Sequence, residues 1–600
     1  MKHPVFDIET NGLLHAEGEK KEATKIWCIC MEDLFTGEKY TADPWQGSIE
    51  FALQLISDAD RIYGHNIIRF DIPVLRKLFP DWIPPEAQTD SMVGSRLVWA
   101  HLKRLDWKLV QAGRLPAHMV GRHTLQSWGY RLGLLKDEYE TDWQTWTPEG
   151  TEYCEQDNTV AKALLHRMRA KGFSKQAMDM EMELAKHIHT QIEGGVCFDN
   201  DKARDLQGTL AELRQVVGQR LTRGFGSWYV PGKQFTPKVN NSRYGYVKGC
   251  EVQKIKLVTF SPTSRDHMRD RLTKLYDWEP EEFTDGGKGK ITEHSLANMD
   301  FPEAADLKEY LMLDKRLNQL VEGPKAWMRF SDSGKIHGGV NTIGTGTHRA
   351  SHAYPNLGQV PSADTVWGPE CRTLFGPDPG WDMLGSDAMG LELRCLAHYM
   401  SKWDDGAFAE VILKGDPHTM FAKGWGLSRP KGKTKTYAYL YGAGNENLGD
   451  GDPTLGKKRK ARIERKIPAL GFLQKWVKKE HKQGYLISLD GRKVYTRSEH
   501  SALNFLLQTA GSLVVKYWLI YCRDMITAEF GPALSVDNPE GLWRPMLWVH
   551  DEQQLSTHPS VTQPIAALMS PAMQRVNDLF NLKCPMDADV KIGTSWKETH

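Results

Sequence analysis

Hydrophobic and polar positions change rhythm several times along this chain, and each rhythm predicts an element. Pro4-Val5-Phe6-Asp7-Ile8-Glu9-Thr10 alternates with the period of a strand, which puts Asp7 and Glu9 on one face. Gly64-His65-Asn66-Ile67-Ile68-Arg69-Phe70-Asp71 reads as a turn-like stretch delivering Asp71. Tyr153 and Asp157 are one helical turn apart and share a face. Helical patterning covers residues 175–225, broken at Gly194-Gly195 and entered again after Asp199, an N-cap residue. Between Gly226 and Pro262 the periodicity fails in a segment rich in Lys, Asn, Gly and Tyr. This predicts a long loop or hairpin, and such insertions usually serve function. Helical patterning resumes at Ser264 and runs, with a break near Gly286-Gly287, to about Arg329.

In the second half, an apolar run (Trp381, Met383, Leu384) delivers Asp387 to a strand end. Gly390 then turns the chain into a helix that carries Glu392 and Arg394. Far downstream, Leu547-Trp548-Val549-His550-Asp551-Glu552-Gln553-Gln554-Leu555 places two carboxylates between apolar strands, as a tight hairpin would. Adjacent strand residues point to opposite faces, so Asp551 is expected to meet Asp387, with Glu552 beside it. Two aspartates brought together from distant strands repel, and they hold divalent cations better than they hold each other.

A helix is predicted from Ser428, its N-cap, to Gly442-Ala443-Gly444. Arg429, Lys433, Tyr437 and Tyr441 recur every four residues along it as one slowly winding stripe. Cations at a helix N-terminus oppose the dipole unless an anion is expected, and a triphosphate meets that requirement. A merely solvated basic helix accounts for the Lys and Arg but not for the tyrosines. Lys457-Lys458-Arg459-Lys460-Ala461-Arg462 is a basic run that suits a solvated face as well as a DNA contact. Asp490-Gly491-Arg492-Lys493 reads as a hairpin turn, and Asn504 and Gln508 lie one helical turn apart.

Length and composition add limits. The chain's 600 residues suffice for three to five compact units. With 77 basic and 76 acidic residues the net charge is +1, so any nucleic-acid surface must come from local clustering. Nine cysteines show no pair with zinc-ligand or redox spacing, and Cys28 and Cys30 alternate within an apolar strand as core residues do. A reducing, cytoplasmic compartment is expected, with no signal region and no run of about 18 apolar residues able to span a bilayer. No internal repeats or low-complexity tracts stand out.

The stretches around Asp387 and Asp551 resemble motifs A and C of family A DNA polymerases, with most likeness to the replicative polymerases of T-seven-like bacteriophages. The Arg429 stripe resembles motif B of that family, and His418 matches a second phosphate contact. Asp7, Glu9, Asp71, Tyr153 and Asp157, in this order, resemble a 3′–5′ proofreading exonuclease of the tyrosine DEDD type. The linking segment His123–Gly133 and the ending Gly593-Thr594-Ser595-Trp596…His600 are similar to the phage enzymes too.

The resemblance implies an α/β exonuclease domain (ribonuclease H-like, with a mixed sheet) over residues 1–190. A mainly α right-hand polymerase domain with an antiparallel palm sheet is implied over 191–600. Within it the thumb spans about 200–330 with an insert at 228–260. The palm spans about 331–410 and 485–600, and the fingers about 411–484. It implies catalytic roles for Asp387, Asp551 and Glu552, and for Asp7, Glu9, Asp71, Tyr153 and Asp157. Nucleotide contacts are implied for His418, Arg429, Lys433, Tyr437, Glu392 and Tyr441. DNA contacts are implied for Arg349, Arg492, Lys493, Asn504, Gln508 and His550.

The implied metal ligands are Asp387, Ala388 and Asp551 in one site and Asp7, Glu9, Asp71 and Asp157 in the other, each holding two Mg2+, for which Mn2+ can substitute. Implied partners are primer–template DNA and dNTPs, with a phage helicase-primase and a single-stranded DNA-binding protein. The insert, roughly thirty residues long, is too short for a stable thioredoxin interface of about 800 Å² per partner.

Two departures stand out. His348 occupies a position where relatives carry glycine, and a non-Gly residue resists positive φ. Met389 stands where they carry serine, which supports the alternative of a DNA-binding 3′–5′ exonuclease with a weakened polymerase site. A single-subunit RNA polymerase is disfavoured by the proofreading set and by Glu392, which should obstruct a ribose 2′-OH.

Overall fold

A computed structural model describes every residue except 16–20, 136–138, 140–142, 281, 285, 293, 294, 297 and 298. The chain forms two compact units: one comprises Met1–Val196, His337–Val360 and Gly376–His600, the other Cys197–Ile336 and Pro361–Phe375. The first stretch of the first unit ends at Val196, and the amino-terminal segment shares that unit with the carboxyl-terminal one. The reason is visible in the first unit's helix packing, described below.

The first unit begins with a mixed five-stranded sheet in the order β3-β2-β1-β4-β5, formed by β1 (Pro4–Thr10), β2 (Ile26–Asp33), β3 (Lys39–Ala42), β4 (Ile62–Gly64) and β5 (Gln88–Asp90). β1 runs antiparallel to β2 and parallel to β4. The alternation read from the sequence survives as burial: Phe6 and Ile8 are core on one face, while Asp7 and Glu9 are half-exposed on the other, beyond a buried Val5. Helix α1 (Asp71–Leu78) starts at Asp71, and α2 (Pro148–Lys171) packs across β1 and β2. Helix α3 (Lys175–Gly194) starts at Ser174, whose side chain accepts from the Ala177 N–H.

The carboxyl-terminal part holds an antiparallel sheet of β6 (Asp382–Ala388), β7 (Trp543–Val549), β8 (Glu552–Thr557) and β9 (Ala588–Gly593), ordered β7-β8-β6-β9. Gly385 in β6 is required by a close approach: a Cβ there would lie 2.4 Å from the Thr599 carbonyl, so the chain end lies against this strand. Helices α4 (Leu391–Asp404), α5 (Pro417–Trp425) and α6 (Arg429–Leu440) follow β6. Gly432 lets α6 lie on α5, since its Cβ would come within 2.6 Å of the Ala422 Cα. Helix α7 (Ala502–Phe530) runs through the core. One 18-residue window of it reaches a mean hydropathy of 1.2, but 89% of that window is buried inside the protein, as in a core helix.

Helix α3 packs on β7 and α7 while also contacting the helix Ser91–Val98 beside β5, which joins the two halves of the unit. Buried charges fix that junction. Glu181 of α3 accepts from the Arg492 Nη1 at 2.7 Å and the Lys516 Nζ of α7 at 2.6 Å. Arg492 also grips Asp490 at 2.7 Å and lies 3.3 Å from the His348 Nδ1. Two cations face two anions, so the group is close to neutral, which is the condition for charges so deeply enclosed.

The second unit is built on the helices Asn200–Phe225 and Ala304–Leu317, which pack together. Its insert is an antiparallel hairpin of Ser227–Phe235 and Val252–Thr259. Helical structure resumes at Arg265–Tyr276 as expected, capped by Ser264. The break expected near Gly286-Gly287 falls where Phe283 bridges Gly289, and helix returns at Ala304–Leu317.

Candidate active site

Two groups of acidic residues stand out, both in the first unit. In the amino-terminal group, Asp7 and Glu9 share a face of β1, and Asp157 descends from α2 onto it. Ligand oxygens of these three lie within 4.8 Å of one another, the spacing of a shared cation. Tyr153 sits one turn before Asp157 and is half-buried against Tyr139, with ring centroids 5.7 Å apart. Asp71 does not join the three. It is buried, and its Oδ1 accepts from the Ile8 N–H at 3.2 Å. Burial, with Asp90 and Asp157 nearby, pushes its carboxyl up to about 7. The structure therefore brings together three of the four expected carboxylates and ties the fourth to the backbone of the strand that carries two of them.

The carboxyl-terminal group differs from expectation in one respect. The hairpin turn falls at His550-Asp551, with His550 at φ 56°, and Glu552, not Asp551, lies directly opposite Asp387 in the ladder. On the other side of β6, Asp589 is also opposite Asp387. Glu552, Asp387 and Asp589 thus form a row across three strands, a register that sequence alone does not reveal. Asp551 joins from the turn, where its carbonyl accepts from the Ala388 N–H at 3.0 Å. Burial first, then Asp551 and Glu552, raise the Asp387 carboxyl to about 7. Burial raises Asp551 as well. Glu552 itself is buried and held by the Trp596 Nε1–H and by the His600 Nδ1 at 2.5 Å. Met389, next to this row, is exposed, and its N–H donates to the Asp587 carbonyl at 2.9 Å.

Both groups gather hard oxygen donors with more negative charge than they can keep ionised. Their chemistry fits a divalent cation of the magnesium class.

Beside the second group, α6 turns the expected stripe outward: Arg429, Lys433 and Tyr441 are exposed and Tyr437 half-buried, while Gly432, Thr436, Tyr439 and Leu440 form its buried face. Ser428 is the N-cap by position but makes no side-chain cap bond. Arg429 is engaged by Asp416, 2.7 Å away, a partner the sequence reading did not pick out. Both side chains are exposed, so the pair is worth little and can yield to a phosphate. His418 opens α5, its ring 6.3 Å from that of Tyr437, and burial with Lys433 and Arg429 lowers its pKa. Glu392 is bridged by the Tyr441 hydroxyl at 2.8 Å and the Arg349 Nη2 at 3.0 Å.

The expected DNA contacts divide. Arg349 and Lys493 are half-exposed, and His550 is exposed. Asn504 and Gln508 are half-exposed positions in the otherwise buried first turns of α7. Arg492 is corrected: its side chain is 1% exposed and committed to Glu181 and Asp490, so it cannot reach a phosphate. His348 does adopt the glycine-like φ of 58°, and its burial against Arg492 holds it there.

An antiparallel sheet that presents a row of carboxylates beside a basic, aromatic helix is the arrangement of a nucleotide-polymerising enzyme. The family model for DNA polymerase family A matches residues 247–598. The DNA-directed DNA polymerases of Enterobacteria phage T3 and Escherichia phage T7 are each 34% identical over 713 aligned positions, covering 99% of this chain and 100% of theirs. The fold is similar to the POL domain of Pol1 from M. smegmatis, solved with DNA primer-template and dNTP. The TM-score is 0.71 at 15% identity, covering 99% of this chain and 96% of that one. The chain belongs to DNA polymerase family A and is a DNA-directed DNA polymerase.

Proposed function

We propose that the chain extends a primer 3′-OH with dNTPs at Asp387, Asp551 and Glu552, with Asp589 beside them, and degrades 3′ ends at Asp7, Glu9 and Asp157. The observation that carries this reading is Glu392, which lies in the first turn of the helix after the acidic strand and accepts from Tyr441, the end of the exposed Arg429–Lys433–Tyr437–Tyr441 stripe.

Asp387 and Asp551, with the backbone at Ala388, would hold Mg2+ in the polymerising site, and Asp7, Glu9 and Asp157, with Asp71 behind them, would hold it in the other. When bound, two such ions activate the attacking oxygen and stabilise the leaving one. The protein's own residues do the rest. Arg429 exchanges Asp416 for the triphosphate, and Lys433 and His418 bind its outer phosphates. Tyr437 packs against the incoming sugar and base. Glu392, held by Arg349 and Tyr441, fills the space a 2′-OH would need. Lys493, Asn504, Gln508 and His550 contact primer–template near the minor groove, where sequence is poorly distinguished.

At the other centre Tyr153 orients the attacking water. The two-stranded insert, with Lys233, Lys238, Arg243, Lys248, Lys254 and Lys256, touches duplex phosphates without recruiting thioredoxin. Binding is then steeply salt-dependent. A helicase-primase and a single-stranded DNA-binding protein fit such an enzyme as partners, and host cytoplasm is its place of work.

Primer extension with labelled dNTPs, run beside 3′ degradation of labelled single strands, tests both halves. Extension without degradation would remove the amino-terminal assignment, and degradation without extension the other.

A further inference from the structure

Outside the acidic groups, one cluster of reactive side chains has no place in the chemistry above. Cys28 and Cys30 are two apart on β2 and share a face, and Cys154 reaches them from α2. Their three Sγ atoms lie within 4.8 Å of one another, and all three residues are buried. They form a satellite of the core with Trp146, packed against Trp27, Tyr139 and Trp143. The β1–β2 ladder sets Cys30 opposite Asp7 and Cys28 opposite Glu9, so thiols and carboxylates line one face side by side. The Cys154 Sγ is 3.6 Å from the Asp7 Oδ2.

Buried cysteines commonly pack as small apolar residues. Three features go beyond that. Three of the nine cysteines, from two elements, meet at one point. Residues two apart on a strand span about 6.6 Å, at the far end of the disulfide range, so Cys28 and Cys30 suit a shared ligand better than a bond to each other. A tetrahedral ion with metal–sulfur bonds of about 2.3 Å and a metal–oxygen bond of about 2.0 Å sets sulfurs about 3.8 Å apart and sulfur about 3.5 Å from oxygen. The three Sγ atoms, within 4.8 Å of one another, have at most about 1 Å to close to reach it, and the Cys154 Sγ already lies 3.6 Å from the Asp7 Oδ2.

We infer that Cys28, Cys30 and Cys154, with the Asp7 Oδ2 as fourth donor, form a site for a soft divalent cation of the zinc–cadmium class. Each thiol releases its proton to solvent as its sulfur takes the ion, leaving three thiolates and one carboxylate around a 2+ charge. Thiolate donors select such ions over Mg2+, so the cations of the neighbouring carboxylates do not compete for the sulfurs. Asp7 belongs to both donor sets. A soft ion that engages it withdraws a ligand from the acidic group and silences 3′ degradation while extension continues, a consequence that rests on the exonuclease reading above.

The test uses the full chain carrying Cys250→Ser, which removes the exposed thiol. Titration with Cd2+ in excess Mg2+ is expected to give a thiolate-to-metal absorption band saturating at about one equivalent. Cys154→Ala, or Cys28→Val with Cys30→Val, abolishes it. Asp7→Asn keeps the band and weakens Cd2+ at least about tenfold, the scale on which even an outer partner acts. Circular dichroism verifies folding, and if the strand pair unfolds, Cys154→Ala decides. No band in the folded protein, a band unchanged by Cys154→Ala, or affinity indifferent to Asp7→Asn overturns the site. The band is read without any nuclease assay. A protein that binds Cd2+ in this way but never degrades DNA refutes the exonuclease reading and leaves the metal site standing, and one that degrades DNA without the band does the reverse.

Discussion

The two acidic centres use the same residue types on different frames. In the first, a strand supplies Asp7 and Glu9, and a helix laid across it supplies Asp157. In the second, Glu552, Asp387 and Asp589 are neighbours in the ladder of a single sheet. Helix packing holds the first together, so its carboxylates can part by small shifts of α2. Hydrogen-bond register holds the second, and no side-chain motion separates neighbouring strands. A centre built on register is the stiffer of the two, which suits the nucleotide addition proposed for it, where a primer end and a nucleotide must lie in line.

The sharpest way to break the comparison is to empty one centre at a time. Asp387→Ala is expected to lower extension by at least about 10³-fold, roughly 4 kcal/mol at the transition state, with degradation unchanged. Asp7→Ala with Glu9→Ala should invert that pattern. Loss of both activities from either variant, measured on the same primer, would mean that the centres are not independent.

Next in size is the junction between the frames. Glu181→Ala leaves Arg492 and Lys516 with one buried carboxylate between them, and urea unfolding should show a loss of about 3–5 kcal/mol. Lys493→Ala should leave stability alone and weaken DNA binding with a shallower salt slope. Equal effects of the two variants on DNA binding would return Arg492 and its network to the DNA surface.

A smaller effect is expected from Glu392→Ala, which opens the space beside Tyr441 and should raise ribonucleotide incorporation about tenfold, some 1.4 kcal/mol of discrimination. Unchanged selectivity in competition between dNTP and rNTP would shift sugar choice elsewhere.

The smallest is a pH effect. Asp71 and Asp387 sit at about 7 against an ordinary 3.8. The folded chain therefore keeps protons that the unfolded chain releases between pH 3.8 and about 7, and stability without cations falls as pH rises through that window. Mg2+ binds the ionised form, so its gain in melting temperature should be larger at pH 8 than at pH 6, by about 2 °C or more. Asp387→Ala should keep only the share due to Asp71. A gain that is larger at pH 6 would contradict both assignments.

Local periodicity carried much of this. The alternation around Asp7 and Glu9, the helical spacing of Tyr153 and Asp157, and the stripe on α6 are all present as read. What stayed hidden depends on which strand lies beside which. Nothing near Asp589 marks it as a neighbour of Asp387, because its strand is short and half-exposed. Arg492 looked like a turn residue facing solvent, since its partner Glu181 lies 311 residues away in the chain. Asp71 matched a motif by order, but order does not say whether a carboxylate points into a cluster or up at a backbone amide. The three thiols follow the same rule: their spacing looked like core because the third came from another element.

The buried charges gathered around Glu181 of α3 have a further consequence. They clamp a helix shared by both halves of the first unit, so the two centres ride on one rigid frame instead of swinging toward each other. For the two activities proposed above, traffic between them then falls to the nucleic acid, whose primer terminus has to unpair and travel. The cost of melting the last base pairs, not the stiffness of a protein joint, sets how often a strand changes site. A mispaired end melts more readily, so the choice of which ends to remove begins in the duplex before any side chain is touched.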